Sequence, residues 1–157
     1  MKIACIGIGA VGSIIARELK SMDLDVTLYS RTEQSGFTIL ENNEYIRYDY
    51  PIQSISEHID ETFDVIFIST KATVFRKLVH IIPGMAHEHT DVILCENGMG
   101  YDDWFKNSIP SVVYISGQKN DDYIEHFRDS RLIKMMISFI LNDESAAVSY
   151  THLTLPT

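Results

Sequence analysis

Residues 2–20 read KIACIGIGAVGSIIARELK, and the order of textures along them decides the fold. Residues 2–6 form an apolar run of the kind that makes a buried strand, and it ends at Gly7. Val11, Ile14, Ile15 and Leu19 then recur at helical spacing, with Arg17, Glu18 and Lys20 on the other side. Asp25 leads into VTLY, a second strand. Strand, glycine turn, helix and strand within about thirty residues make one βαβ unit.

The turn itself is Gly7-Ile8-Gly9-Ala10-Val11-Gly12. GxGxxG alone is a weak pattern, but here it follows a strand and opens a helix, which makes it informative. Gly7 permits the tight turn, and Gly9 lets a pyrophosphate come close to the backbone. Gly12 allows the helix to pack on the strand, while the helix N-terminus offers free N–H groups to phosphate. In this context a dinucleotide site is favoured over a glycine-rich turn with no ligand.

The end of the second strand bears on which nucleotide. NAD sites usually carry Asp or Glu there to bond the ribose 2′-OH. Here the strand ends Leu28-Tyr29-Ser30-Arg31-Thr32, with an arginine and no carboxylate. Arg31 is either an ordinary surface cation or the partner of a 2′-phosphate, flanked by the Ser30 and Thr32 hydroxyls. NADP is the expected cofactor.

Further along, GFTIL and EYIRYDYPI read as short strands around a turn at Glu41–Asn43, followed by a polar connection. DVIFIST at 64–70 suits a strand covered on both faces. Val74, Phe75, Leu78, Val79, Ile81 and Ile82 predict a helix stopped by Pro83–Gly84. TDVILCEN at 90–97 is another buried strand, and YDDWFKN a short helix candidate. Beyond Pro110, VVYIS, YIEHF and RLIKMMIS predict antiparallel strands, with a turn at Gly117–Asp122. The expected class is α/β: a Rossmann-like doubly wound parallel sheet with antiparallel strands at its C-terminal end.

Lys71 stands at the carboxyl end of IFIST, and Asn97-Gly98 at the carboxyl end of VILCE. Ligands of open parallel sheets bind outside those ends. Each residue singly is a loop residue or helix cap as readily as a ligand contact. With the glycine turn, the combination favours a shared site.

Composition narrows the rest. The 157 residues are 45% hydrophobic and 22% charged, suiting one domain with its own core. A net charge of −9 argues against a nucleic-acid or anionic-membrane surface. No apolar run approaches the roughly 20 residues that span a bilayer, and no signal-peptide pattern follows Met1. Cys5 and Cys95 sit in apolar runs and read as buried core thiols of a cytoplasmic protein. His80, His87 and His89 surround a Pro-Gly break without acidic or cysteine partners at ligand spacing, so no metal is expected. No Ser-His-Asp or Cys-His arrangement is evident, and no catalytic residue is assigned.

Taken together, KIACIGIGAVGS, Arg31, TKA at 70–72 and ENGMG at 96–100 resemble the ketopantoate reductase (2-dehydropantoate 2-reductase) family. VVYISGQK followed by HFRDSRL resembles one bacterial branch, and the similarity spans about residues 1–141. The resemblance implies that residues 7–12 hold the NADPH pyrophosphate and Arg31 the 2′-phosphate. It implies that Lys71 lies along the cofactor, that Asn97 touches cofactor and substrate, and that the stretch around Ser116 and Gly117 passes the same site. The family reaction is hydride transfer from NADPH to the C2 ketone of ketopantoate, giving pantoate. The nearest rivals are a sibling reducing another 2-keto acid to a D-2-hydroxy acid, and a non-catalytic NADP-binding module. In the family, the proton-donating lysine and the substrate-holding asparagines and glutamate come from a second, all-helical domain, expected shortly after residue 150. Without it, this chain is expected to be inactive, and its oligomeric state is open.

Residues 148–157, VSYTHLTLPT, can be written GTC TCT TAT ACA CAT CTG ACG CTG CCG ACG. Written so, it looks identical to the transposon mosaic-end adapter of sequencing libraries read in one frame, with a preceding CT that fits a GCT codon for Ala147. The expectation is a cofactor domain over 1–147 and an adapter-derived tail over 148–157; the competing reading is a natural strand, since THLTL alternates.

Overall fold

The computed structural model describes residues 1–56, 59–95, 102–111, 115–127 and 137. In chain order, β1 (Lys2–Ile6), α1 (Ala10–Ser21) and β2 (Asp25–Ser30) form the first βαβ unit. β3 (Phe37–Glu41), β4 (Glu44–Tyr48) and β5 (Ile52–Ser54) follow, then β6 (Phe63–Ile68), α2 (Ala72–Met85) and β7 (Ala86–Leu94). A single 3₁₀ turn at Asp102–Trp104 leads to β8 (Ser108–Pro110), β9 (Gly117–Lys119) and β10 (Ile124–His126).

Six strands make one parallel sheet in the order β5-β2-β1-β6-β7-β8. Counted along this sheet alone, the order is that of a doubly wound dinucleotide-binding fold, with its reversal between β1 and β6. Side chains alternate across the strands: Ile3 and Cys5 join the core under α1, whereas Ala4 and Ile6 join the core under α2. Ile14, Ile15 and Leu19 close the first layer, and Phe75, Leu78 and Ile82 the second. Burial on both faces is why β1, β6 and the end of β7 read as unbroken apolar runs.

A smaller sheet, β4-β3-β10-β9, packs Phe37, Ile39 and Ile124 into the core that contains α1. Its β3–β4 hairpin turns at Asn42 and Asn43, whose φ angles of 51° and 65° are those a two-residue primed turn demands. Asparagine tolerates that region better than most side chains.

Several expectations need correction. EYIRYDYPI is two strands in different sheets, β4 and β5, divided around Tyr50–Pro51, where proline has no N–H for a ladder. β10, within YIEHF, pairs antiparallel, but its partner is β9 at Gly117–Lys119 and not VVYIS, of which Ile115 and Ser116 lie in no strand and 112–114 lie outside the described residues. β10 also pairs in parallel with β3, so the small sheet is mixed. Gly117 belongs to β9, and the turn closes at Asn120–Tyr123, where Asn120 N donates to the Tyr123 carbonyl at 2.8 Å. Ile137, inside a stretch read as strand, is helical. α2 runs through Pro83 to Met85, so proline takes one N–H, that directed at the Val79 carbonyl, out of the ladder and only two helical residues follow it. The tripeptide β8 has no strand signature in the sequence; with Pro110 in it, it sits at a sheet edge, where proline is tolerated. Residues 96–100, 112–114 and 148–157 lie outside the described residues, so the predicted turn after β7 and the C-terminal tail do too.

Arg17 and Glu18 give the most informative departure. Helical periodicity places them on a solvent face, yet each is only 6% exposed, because the small sheet covers that flank of α1. Arg17 Nη1 meets Glu41 Oε2 at 2.9 Å, and its Nη2 meets Glu18 Oε1 at 2.8 Å. His126 Nδ1 lies 2.9 Å from the other Glu41 oxygen. Replacing Arg17 by Met should lower unfolding stability by about 3 kcal/mol, read by chemical denaturation, because two carboxylates then lose their buried partner.

At the opposite edge, Asp64 accepts from the Lys2 backbone N–H at 2.6 Å and lies 3.1 Å from His87 Nε2. The Lys2 N–H, with help from His87, holds the Asp64 carboxyl below its ordinary value. Stability from this group is therefore present above the unfolded-state value near 3.8 and is lost as pH falls through the lower folded value. An acid-unfolding titration of Asp64→Asn should lose that part of the acid limb.

Candidate functional site

Gly7 leaves β1 with φ of +95°, and its N–H donates to the Tyr29 carbonyl at 2.9 Å. A side chain there would be strained by the dihedral and would stand 2.6 Å from Thr70 Cγ2. At Gly12 an added methyl would overlap the Gly7 carbonyl oxygen and the Ser69 hydroxyl. At Gly9 the same methyl meets nothing within 4 Å. Two glycines are therefore demanded by the protein's own packing, and the third opens on free space.

Gly9 caps α1 without a side-chain hydrogen bond, and the first turn holds no acidic residue. Ser13 N is the first amide of the helix to find a carbonyl, that of Gly9 at 3.0 Å. The N–H groups of Ile8, Gly9, Ala10, Val11 and Gly12 have no acceptor among the described residues. Such a row of free donors at the positive end of a helix suits an anion.

Neighbouring strand ends supply cations. Arg31 lies two residues beyond Tyr29 and is exposed, and no carboxylate pairs with its guanidinium among the described residues. Its backbone carbonyl accepts from Ser54 Oγ at 3.2 Å. The Ser30 hydroxyl donates to the Thr32 carbonyl at 2.5 Å and accepts from Gln34 Nε2 at 3.3 Å, which orders the chain after β2. On the β6 side, Ser69 N donates to the Ile6 carbonyl at 2.9 Å, and the Ser69 hydroxyl lies 2.8 Å from the Gly7 carbonyl oxygen. Thr70 Oγ1 is buried without a partner among the described residues, and Lys71 is the exposed N-cap of α2.

The glycine turn, Arg31 and Lys71 thus share the carboxyl edge of three adjacent strands, β2, β1 and β6, at the point where strand order reverses. Gly117 joins them from the small sheet: a methyl there would stand 3.4 Å from Ile14 Cδ1 and 3.7 Å from Ala10 Cβ. Cys95 N donates to the Ile68 carbonyl at 2.8 Å, which brings β7 to the same edge, but Asn97 and Gly98 beyond it lie outside the described residues. Ser69 and Thr70 carry polar atoms at this edge that sequence reading passed over, since a hydroxyl at a strand end has no spacing signature.

Cys5 lies beneath the turn, with Sγ 3.8 Å from the Gly12 carbonyl; burial pushes its thiol up to about 12 and that of Cys95 up as well. Both are free, buried thiols, as their apolar context predicts. Among the described residues, no three His, Cys, Asp or Glu side chains are grouped to hold a metal, and no helix is long and apolar enough to cross a membrane.

A sequence model of ketopantoate reductase PanE/ApbA matches residues 3–134. The chain belongs to the ketopantoate reductase family. A ketopantoate reductase from Staphylococcus aureus, described as dimeric and kinetically cooperative, is 33% identical with a TM-score of 0.75. The match covers 92% of this chain and 53% of that one. A second Staphylococcus aureus structure, described as a 2-dehydropantoate 2-reductase, is 32% identical with a TM-score of 0.71, covering 91% of this chain and 52% of that one. The chain therefore spans about half the length of these solved relatives. A D-mandelate dehydrogenase solved with NADH and anilino(oxo)acetate shares the fold, at 24% identity and a TM-score of 0.71 over 82% of this chain and 46% of that one. No curated protein sequence matches the chain.

The glycine geometry separates two substitutions. Gly9→Ala should unfold within about 1 kcal/mol of wild type, since its methyl meets only open space and helix N-caps favour glycine modestly over alanine. Gly12→Ala should lose about 2 kcal/mol or more, because backbone carbonyl and helix must move apart. Thermal or denaturant unfolding of the two variants reads the difference.

Proposed function

We propose that this chain forms the cofactor-binding half of an NADPH-dependent 2-dehydropantoate 2-reductase, an oxidoreductase that reduces ketopantoate to pantoate. The observation that carries the cofactor reading is the row of N–H groups from Ile8 to Gly12 and the guanidinium of Arg31, which have no acceptor or carboxylate partner among the described residues, with no carboxylate at the end of β2. The residues fit the group: Gly9 leaves the space a pyrophosphate needs, and the buried Thr70 hydroxyl lacks a partner among the described residues. NADPH, when bound, supplies the hydride for the C2 ketone.

In this reading the backbone of Gly7, Ile8, Gly9, Ala10, Val11 and Gly12 holds the pyrophosphate, and Arg31 selects the 2′-phosphate by a charge-assisted contact. Lys71 lies along the cofactor, and Asn97 touches cofactor and substrate. No residue of this chain is assigned to proton transfer; the family resemblance puts that lysine in a helical domain. The reduction is accordingly proposed for the whole protein, and for the 157-residue chain cofactor binding without turnover. Because the same fold also carries a D-mandelate dehydrogenase, a sibling 2-keto acid reductase remains the second reading.

Titration of the chain with NADPH and NADH tests this. NADPH should bind more tightly, and Arg31→Ala should weaken it about tenfold or more, the worth of a charge-assisted hydrogen bond, while leaving NADH within about twofold. Equal binding of the two nucleotides by wild type would refute the 2′-phosphate role.

A further inference from the structure

We propose that Ser69 is a positioning residue for the phosphate-binding turn, fixing from the neighbouring strand which way the Gly7–Ile8 peptide points. The inference rests on the cofactor reading above and adds a residue which that reading leaves without a role.

The Gly7 carbonyl oxygen is confined on two sides. The Ser69 hydroxyl lies 2.8 Å from it, and the Cα of Gly12 packs so closely that any side chain at that position would overlap it. Ser69 is itself held in place: its N–H donates to the Ile6 carbonyl at 2.9 Å, and its hydroxyl is also 3.1 Å from that oxygen. The proton of Ser69 thus serves the carbonyls of Ile6, the last residue of β1, and Gly7, the first of the turn.

A trans peptide is planar, so its C=O and N–H point in opposite directions. The chain has no cis peptide among the described residues, and the Gly7 oxygen is drawn towards β6 and α1. The Ile8 N–H must then point away from both, and it has no acceptor among the described residues. Ile8 is the first of the five consecutive donors without an acceptor among the described residues, and its peptide unit is held by a side chain from another strand. The Gly9–Ala10 unit, in contrast, is held from within α1, where the Ser13 hydroxyl donates to the Gly9 carbonyl at 2.7 Å. Without the Ser69 hydroxyl, this peptide could rotate about the glycine dihedrals, which Gly7 of all residues resists least. The free N–H would then leave the row.

The local character of this role makes it testable on the chain as it stands. Binding of NADPH is compared with binding of adenosine 2′-monophosphate, which carries the 2′-phosphate but no pyrophosphate. Ser69→Ala should weaken NADPH about tenfold and leave the mononucleotide unchanged, whereas Arg31→Ala should weaken both. Should Ser69→Ala fold poorly, Ser69→Thr and Ser69→Val form a pair of equal shape that differs in the hydroxyl: Thr should bind NADPH like wild type and Val like the alanine variant. Equal NADPH binding by wild type and Ser69→Ala, or by the Thr and Val variants, overturns the role of Ser69 and leaves the cofactor reading intact. Parallel loss of both ligands in Ser69→Ala also overturns it, as a general loosening of the site. A wild-type chain that binds neither ligand overturns the cofactor reading and this inference with it.

Discussion

The contact between Gly12 and the carbonyl of Gly7 governs the approach of α1 to the sheet. Any side chain at position 12 would drive the helix off the end of β1, and with it the row of amide groups that the helix presents. The approach also places Ile14, Ile15 and Leu19 against Ile3, Cys5 and Val26, so that the core on this face depends on the same short distance. Ser69 fills the remaining side of the Gly7 carbonyl, and the buried Cys5 thiol lies just below. The carboxyl edge of the sheet and the hydrophobic core thus meet at one backbone oxygen.

The second support of α1 is ionic. Arg17 and Glu18 turn away from the parallel sheet and are buried by the small one, where Glu41 of β3 and His126 of β10 complete the cluster. A buried ion pair of this kind adds little net stability over an apolar replacement, but breaking it from one side is expensive. It ties two segments that are distant in sequence, β3 and β10, to one helix flank. The helix that presents the turn is therefore held from two directions, by apolar packing below and by a charge cluster at its side.

Electrostatics at the carboxyl edge run against the chain as a whole. A protein of net charge −9 repels an anionic dinucleotide at long range. What would favour an anion is local: the amides of the first turn of α1 that have no acceptor among the described residues, and the exposed cations Arg31 and Lys71 just beyond the two flanking strands. Opposite that edge, Asp64, His87, Glu61 and Lys2 pair with one another around the start of β1 and β6. Charge is thus neutralised where the sheet begins and left open where it ends.

Periodicity and glycine spacing were sufficient to read the first βαβ unit, the apolar strands β6 and β7, and the positions of the glycine turn, Arg31 and Lys71 along the chain. Those features are local: a strand buried on both faces, a helix with one apolar stripe and a turn that needs glycine all write themselves into neighbouring residues. Strand pairing is not local, and there the reading failed. That β4 and β5 belong to different sheets, that β10 lies parallel to β3, and that Arg17 and Glu18 are buried all depend on which distant segment covers which face. The same holds for Ser69, whose hydroxyl is one of many in the sequence. Only the pairing of β1 with β6 brings it onto the Gly7 carbonyl, because a side chain has no partner until the sheet has assembled.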